Sequence, residues 1–210
     1  PAAGLDPRVE RWTAAPRRYG LHATLKAPFR LAAGAMPHEL DAAVRALARA
    51  SRPFTAPLQR RQLRGFLAWC LADDEAAGQN MRQLADAAVA RLDNFRAPPG
   101  AAELARRQAR PLAPAEQAML ARWGYPYAFH TFTFHITLTG LLQADALRAA
   151  DAQFALSGGE RLPAGMPVES ISVYVQPEPD ADFVVARHYG FDGRVRDACG
   201  AAFLPAAAHG

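Results

Sequence analysis

The sequence feature that most constrains the fold is a strictly alternating segment, Thr131–Thr139. Its even positions are all large and apolar, whereas its odd positions are polar, namely four threonines and His135. Alternation of period two in aromatic and β-branched residues is typical of a β-strand with one buried face. We therefore predict a strand whose apolar face lies on a core and whose other face carries an imidazole among hydroxyl groups.

A second, shorter segment repeats this pattern near the start of the chain. In Leu21–Lys26 the residues His22, Thr24 and Lys26 share one predicted face, and Leu21, Ala23 and Leu25 share the other. Both segments contain the sequence His-x-Thr-Leu. Two histidines that titrate near neutrality can act as base and acid when a phosphodiester is opened. Threonine hydroxyls two residues further along each strand can donate hydrogen bonds to the phosphate oxygens.

The two copies resemble the signature of the two-histidine (2H) phosphoesterase superfamily, in which paired His-x-Thr/Ser strands face each other across a cleft. The wider sequences Arg18–Phe29 and Ala121–Gly140 resemble the branch of that superfamily that is encoded beside phosphonate-degradation genes. The resemblance covers about residues 18–190. Proteins of this kind usually begin with a strand ahead of the first motif, whereas Pro1–Pro16 reads as a loop here.

We predict an α+β fold with two pseudo-symmetric lobes, antiparallel-rich sheets, helices outside and a central cleft. The whole chain is predicted to form one domain: lobe one at about 17–95, a connector at about 96–126, lobe two at about 127–190 and a tail at 191–210. Hydrophobic periodicity predicts four helices, at Pro37–Ala50, Asp73–Phe95, Ala113–Trp123 and Gln143–Leu156. Further strands are predicted at Arg18–Leu31, Phe54–Leu58, Gly65–Leu71, Val168–Val175 and Phe183–Tyr189.

The composition limits the classes of protein to consider. Half of the 210 residues are hydrophobic, but no apolar run is long enough to span a membrane, so we expect no membrane partner and a cytoplasmic location. The two cysteines stand alone, and the sequence offers no metal-ligand spacing, so we expect neither a metal nor a cofactor. The net charge of +4 suits an anionic ligand, and the only lysine, Lys26, lies in the first motif.

These observations lead to a predicted site and reaction. We predict metal-independent hydrolysis of a cyclic phosphodiester, with His22 and His135 as the catalytic acid–base pair. The residues predicted to bind the small phosphorylated substrate are Thr24, Thr137, Lys26, Thr139 and Arg18. The resemblance to the phosphonate-associated branch implies that the substrate is a phosphorylated ribose with a 1,2-cyclic phosphate.

Two alternatives use the same residues. An enzyme acting on RNA ends, with a 2′,3′-cyclic phosphate or a 2′,5′ linkage as substrate, would need aromatic and basic residues beside the site. The segment Trp123–Tyr127 and the arginine-rich run Arg106–Arg110 could supply them. A non-catalytic protein that binds phosphorylated ligands would use the same threonines and lysine for affinity alone.

Overall fold

The computed structural model describes residues 7–109, 111–158 and 165–205. The helices in these ranges are α1 (Val9–Arg17), α2 (Pro37–Arg49), α3 (Glu75–Arg91), α4 (Ala101–Arg107), α5 (Pro114–Trp123) and α6 (Ala144–Gly158). The strands are β1 (Phe54–Ala56), β2 (Leu58–Leu63), β3 (Phe66–Leu71), β4 (His135–Thr137), β5 (Met166–Val168), β6 (Ser170–Val175), β7 (Val184–Gly190) and β8 (Val195–Asp197). A membrane-spanning helix needs about 20 apolar residues, and no helix within the described ranges provides such a stretch.

The strands form three sheets, and all of their described pairings are antiparallel. The sheets have the orders β1-β5, β2-β3-β4 and β6-β7-β8. The predicted α+β class with antiparallel sheets is thus confirmed. The pairs β3-β4 and β1-β5 join strands from the first half of the chain to strands from the second half. The two-lobe division remains a prediction, and any such lobes would share these sheets.

The start of the chain differs from the prediction, because a helix replaces the predicted loop. Pro16 lies in the last turn of α1 and has no N–H to donate to the carbonyl group of Trp12. The Trp12 carbonyl instead accepts a hydrogen bond of 2.8 Å from the N–H of Gly140. The Trp12 side chain is buried with Leu67 and Leu138. Helix α1 is therefore fixed to the end of the second motif, while residues 1–6 lie outside the described ranges.

Strand β4 is much shorter than the predicted strand at Thr131–Thr139. The first residue of the predicted strand, Thr131, is instead the last residue of a tight 3-10 turn at Phe129–Thr131. The Thr131 hydroxyl hydrogen-bonds to the carbonyl oxygens of Pro126 and Ala128, and these local bonds favour a turn over a sheet. The predicted alternation nevertheless persists, because Phe134 and Leu138 are buried on either side of β4.

Other helix and strand predictions are largely confirmed. The four predicted helices correspond to α2, α3, α5 and α6, and Asp74 caps α3 by accepting from the N–H of Ala77. Residue 159, next to the end of α6, lies outside the described ranges. The polar strand β2 was not predicted, because edge strands with arginines do not show a clear apolar alternation. Strand β8 was likewise missed inside the predicted tail, of which residues 206–210 are not described.

A buried ionic network holds the β6-β7-β8 sheet on α2. Arg187 and Tyr189 of β7 both donate to the Asp41 carboxylate of α2, and Arg187 also donates to Asp197 of β8. Burial alone would raise the pKa of Asp41, but the hydrogen bonds from Tyr189 and Arg187 outweigh it and leave that pKa lowered. One face of this sheet therefore packs against α2 and the core, and every second side chain of each strand projects from the opposite face.

Candidate functional site

The two His-x-Thr motifs meet through a single antiparallel bridge. Ala23 of the first motif pairs with Ile136 of β4, and β4 pairs on its other side with β3. This bridge is all that remains of the predicted strand at Arg18–Leu31, apart from a second bridge between Leu31 and Arg96. The first motif thus extends the β2-β3-β4 sheet by one short segment.

The bridge determines which side chains lie next to each other. Ala23, Ile136 and Trp69 form one row across three neighbouring segments and pack against the core. In antiparallel pairing, the residues on either side of a pair also face each other and project from the opposite surface. His22 therefore lies beside Thr137, and Thr24 lies beside His135. All four side chains are half-buried.

The two imidazoles make the same local hydrogen bond. The Nδ1 atom of His22 lies 3.1 Å from the carbonyl oxygen of Gly20, and that of His135 lies 2.9 Å from the carbonyl oxygen of Thr133. Because a carbonyl oxygen can only accept, Nδ1 carries the proton in both rings. The neutral form of each ring then has an unprotonated Nε2 available to a ligand.

Gly20 supplies the carbonyl oxygen to which the His22 ring is hydrogen-bonded. Its backbone has φ = +67°, which is a left-handed conformation that glycine adopts without steric cost. The turn follows the end of α1, and in it the N–H of Gly20 donates a hydrogen bond to the carbonyl oxygen of Arg17. The same turn brings the carbonyl oxygen of Gly20 to the His22 ring. Leu21, predicted to face the core, is 76 % exposed because the strand pattern begins only after this turn.

Aromatic side chains border both histidines. The Tyr174 ring of β6 lies 5.2 Å from the His22 ring between centroids, and the Phe66 ring of β3 lies 5.7 Å from the His135 ring. Burial raises the pKa of Tyr174. Tyr174 was not among the predicted site residues, although β6 alternates small or aromatic polar residues with Ile171, Val173 and Val175. That alternation indicated a second polar sheet face.

Lys26 was predicted to bind phosphate, but it has a different partner. A bend at Leu25–Lys26 ends the extended segment, and the Lys26 ammonium donates to the Asp93 carboxylate at 3.0 Å and to the Val89 carbonyl at 3.1 Å. Arg96 also donates to Asp93. Burial lowers the pKa of Lys26, with Asp93 acting in the opposite direction. We therefore leave Lys26 out of the candidate site.

Arg18 and Thr139 are also engaged away from the four motif side chains. Arg18 is exposed and binds the Asp182 carboxylate and the Asp180 carbonyl in the turn between β6 and β7. Thr139 is fully buried, and its hydroxyl oxygen accepts the N–H of Leu67 at 3.0 Å. Thr139 follows the phase of the strand pattern, but the chain has already left β4 at this residue. Neither residue is kept in the candidate site.

The basic and aromatic residues considered for RNA binding contact one another. Arg107 pairs with Glu103 and its guanidinium lies over the Tyr125 ring, while the Trp123 ring contacts the Phe129 ring at an angle of 42°. Arg110 lies outside the described residues. Within the described ranges, no cluster of three or more histidine, cysteine or acidic side chains could hold a metal ion.

Two curated relatives match most of the chain. The chain is 36% identical over 191 residues to a protein of Janthinobacterium sp. (strain Marseille) named ribose 1,5-bisphosphate phosphokinase PhnN. This match covers 87% of this chain and 41% of that protein. It is 37% identical over 176 residues to a protein of the same name from Laribacter hongkongensis (strain HLHK9), covering 83% of this chain and 40% of that protein. The chain thus spans about two fifths of the length of these relatives. No solved structure matches it significantly.

These names correct the predicted reaction. A phosphokinase transfers a phosphoryl group to an acceptor, whereas the two motifs predicted a phosphodiesterase that hydrolyses a cyclic ester. The hydrolase prediction, including its RNA-end alternative, is therefore contradicted. The reason for the error is chemical: histidine and threonine side chains can hold a phosphate group whether or not an ester bond of that phosphate is then broken.

A family match covers the second motif and most of the remaining chain. Residues 24–184, which are more than half of the sequence, match the family described as "Protein of unknown function (DUF1045)". This stretch contains the second His-x-Thr motif and Thr24 of the first. The chain belongs to this family.

Proposed function

We propose that His22, Thr24, His135 and Thr137 bind a phosphate group of a phosphorylated sugar, and that the chain provides this binding to a phosphokinase acting on ribose 1,5-bisphosphate. The antiparallel bridge between Ala23 and Ile136 carries the proposal, because it puts two imidazoles and two hydroxyls on one surface. The names of the relatives supply the class of ligand and of reaction.

The chemistry of the four side chains suits a phosphate dianion. Each threonine hydroxyl can donate one hydrogen bond, and each imidazole donates from Nε2 once that atom is protonated. Hydrogen bonds between such donors and a charged phosphate are stronger than bonds between neutral groups. The half-buried surroundings favour them further, since bulk water competes less with the ligand.

In this proposal the four residues bind the ligand. The phosphoryl donor is activated by the part of the relatives that this chain does not match. Lysine commonly contacts the phosphates of a nucleotide donor, but the single lysine of this chain is held by Asp93. We also propose that the two motifs have the arrangement of the 2H superfamily, which the bridge and the matching Nδ1 hydrogen bonds support. A role in phosphonate breakdown belongs to the same proposal.

Calorimetric titration with ribose 1,5-bisphosphate and with ribose tests the proposal. The protein is expected to bind the bisphosphate and not the free sugar. Each of four single substitutions should weaken binding about tenfold or more, because each removes one hydrogen bond to a charged group. The four are His22→Ala, His135→Ala, Thr24→Val and Thr137→Val.

Matched controls come from residues outside the site. His130→Ala removes an exposed histidine and Thr55→Val removes an exposed strand threonine, so neither should alter the affinity. Circular dichroism would check that each variant is folded. Equal affinity in all four site variants and the wild type would contradict the proposal.

A further inference from the structure

The surface of the β6-β7-β8 sheet that turns away from α2 carries a second row of polar side chains. Ser172 of β6 is paired with His188 of β7, and His188 is paired with Arg196 of β8. Directly paired residues project from the same surface of a sheet. Their neighbours Tyr189 and Arg187 project toward α2 and Asp41, so this row lies on the opposite surface.

This row continues from the candidate site. Tyr174 lies two residues after Ser172 on the same strand and hence on the same surface, about 7 Å further along. The Tyr174 ring lies 5.2 Å from the His22 ring. The irregularity between Val173 and Tyr174 leaves an extra residue in β7, so it does not reverse the phase of β6. A ligand bound at His22 could therefore extend over Tyr174 toward the row.

The three side chains form a set of donors for an anion. The Ser172 hydroxyl and His188 Nδ1 are 2.8 Å apart, and a hydroxyl that donates to Nδ1 leaves the ring proton on Nε2 for a ligand. Arg196 is exposed, and within residues 7–109, 111–158 and 165–205 no carboxylate pairs with it. A guanidinium can bind two oxygens of one phosphate group at once.

We propose that Ser172, His188 and Arg196 form a second phosphate subsite, which binds the other phosphate of a bisphosphorylated sugar whose first phosphate lies at His22 and His135. This inference rests on the proposed function. It explains how one chain could distinguish a sugar bisphosphate from a monophosphate: only the bisphosphate would contact both groups of side chains.

The test compares Arg196→Gln with Arg194→Gln, a control at a neighbouring exposed arginine in the turn before β8. Titrations use ribose 1,5-bisphosphate and ribose 5-phosphate. Arg196→Gln should weaken bisphosphate binding about tenfold or more and leave monophosphate binding unchanged, whereas Arg194→Gln should alter neither. Bisphosphate binding that is insensitive to Arg196→Gln, or an equal loss for both ligands, would overturn the subsite and leave the proposed function standing.

A separate titration with inorganic phosphate distinguishes a failure of the proposed function from a failure of the second subsite. If neither sugar phosphate binds the wild type, the proposed function falls. A shift of the His188 ring resonances with phosphate, absent in Arg196→Gln, would then still support an anion subsite at this row. No shift at His188 in the wild type would overturn the subsite as well.

Discussion

Ala23 and Ile136 face each other in an antiparallel bridge, although they lie in opposite halves of the chain. Both side chains pack into the core, which obliges the neighbouring histidines and threonines to project together from the other surface. A shift of this pairing by one residue would bury polar groups and expose apolar ones. The register of the site is thus fixed by the same burial that stabilises the sheet.

The threonines of the second motif are expected to divide between binding and stability. Thr139→Val removes the hydroxyl that accepts the buried N–H of Leu67, so it should lower the free energy of unfolding by about 1–3 kcal/mol without changing ligand affinity. Thr137→Val should lower ligand affinity with a smaller effect on stability. Urea unfolding and calorimetric titration of both variants measure the two quantities. The reverse pattern would show that we have assigned the two threonines wrongly.

Lys26 should matter for stability alone. Lys26→Met removes one of two cations that hold Asp93, so we expect the free energy of unfolding to fall by about 1–3 kcal/mol, less than for a carboxylate left wholly unpaired. Affinity for ribose 1,5-bisphosphate should stay within twofold of the wild type. Arg91→Gln changes an exposed cation near the same helix end and serves as the control. A large loss of affinity in Lys26→Met would return this lysine to the binding site.

The network around Asp41 predicts a specific dependence of stability on pH. The pKa of Asp41 is lowered in the folded state, so its contribution is complete above the ordinary carboxyl pKa of about 3.9 and is lost as the pH falls through the lowered folded value. Asp41→Asn should lower the free energy of unfolding by about 3 kcal/mol at pH 7. The difference from the wild type should shrink below about pH 4.

Urea unfolding at pH 7 and at pH 3 measures this difference. Asp73→Asn provides the control, because Asp73 forms an ion pair with Arg61 while its side chain is 91% exposed, and such surface pairs contribute little. A difference between the wild type and Asp41→Asn that is the same at both pH values would contradict the assigned role of Asp41.

The elements that could be predicted from the sequence are those with strong local signals. Helix α2 has a proline at its start and apolar residues at helical spacing, and β3 is a continuous apolar run. The alternation around His135 correctly indicated that Phe134 and Leu138 would be buried. Local pattern alone was sufficient for these features.

The features that were missed depend on contacts between distant residues. Pro16 reads as a helix breaker until Gly140 supplies a donor for the Trp12 carbonyl. Lys26 shares the phase of His22, but a bend and the distant Asp93 redirect its ammonium. None of these partners can be identified from the local sequence pattern.

The most direct test of the account is a nitrogen-15 NMR titration of the imidazole rings with ribose 1,5-bisphosphate. We expect the Nε2 resonances of His22 and His135 to move together with a single dissociation constant, while the exposed ring of His130 does not respond. Both Nδ1 atoms should stay protonated throughout, as their carbonyl partners require. Movement of only one of the two rings, or of neither, would contradict the claim that the two motifs bind one phosphate.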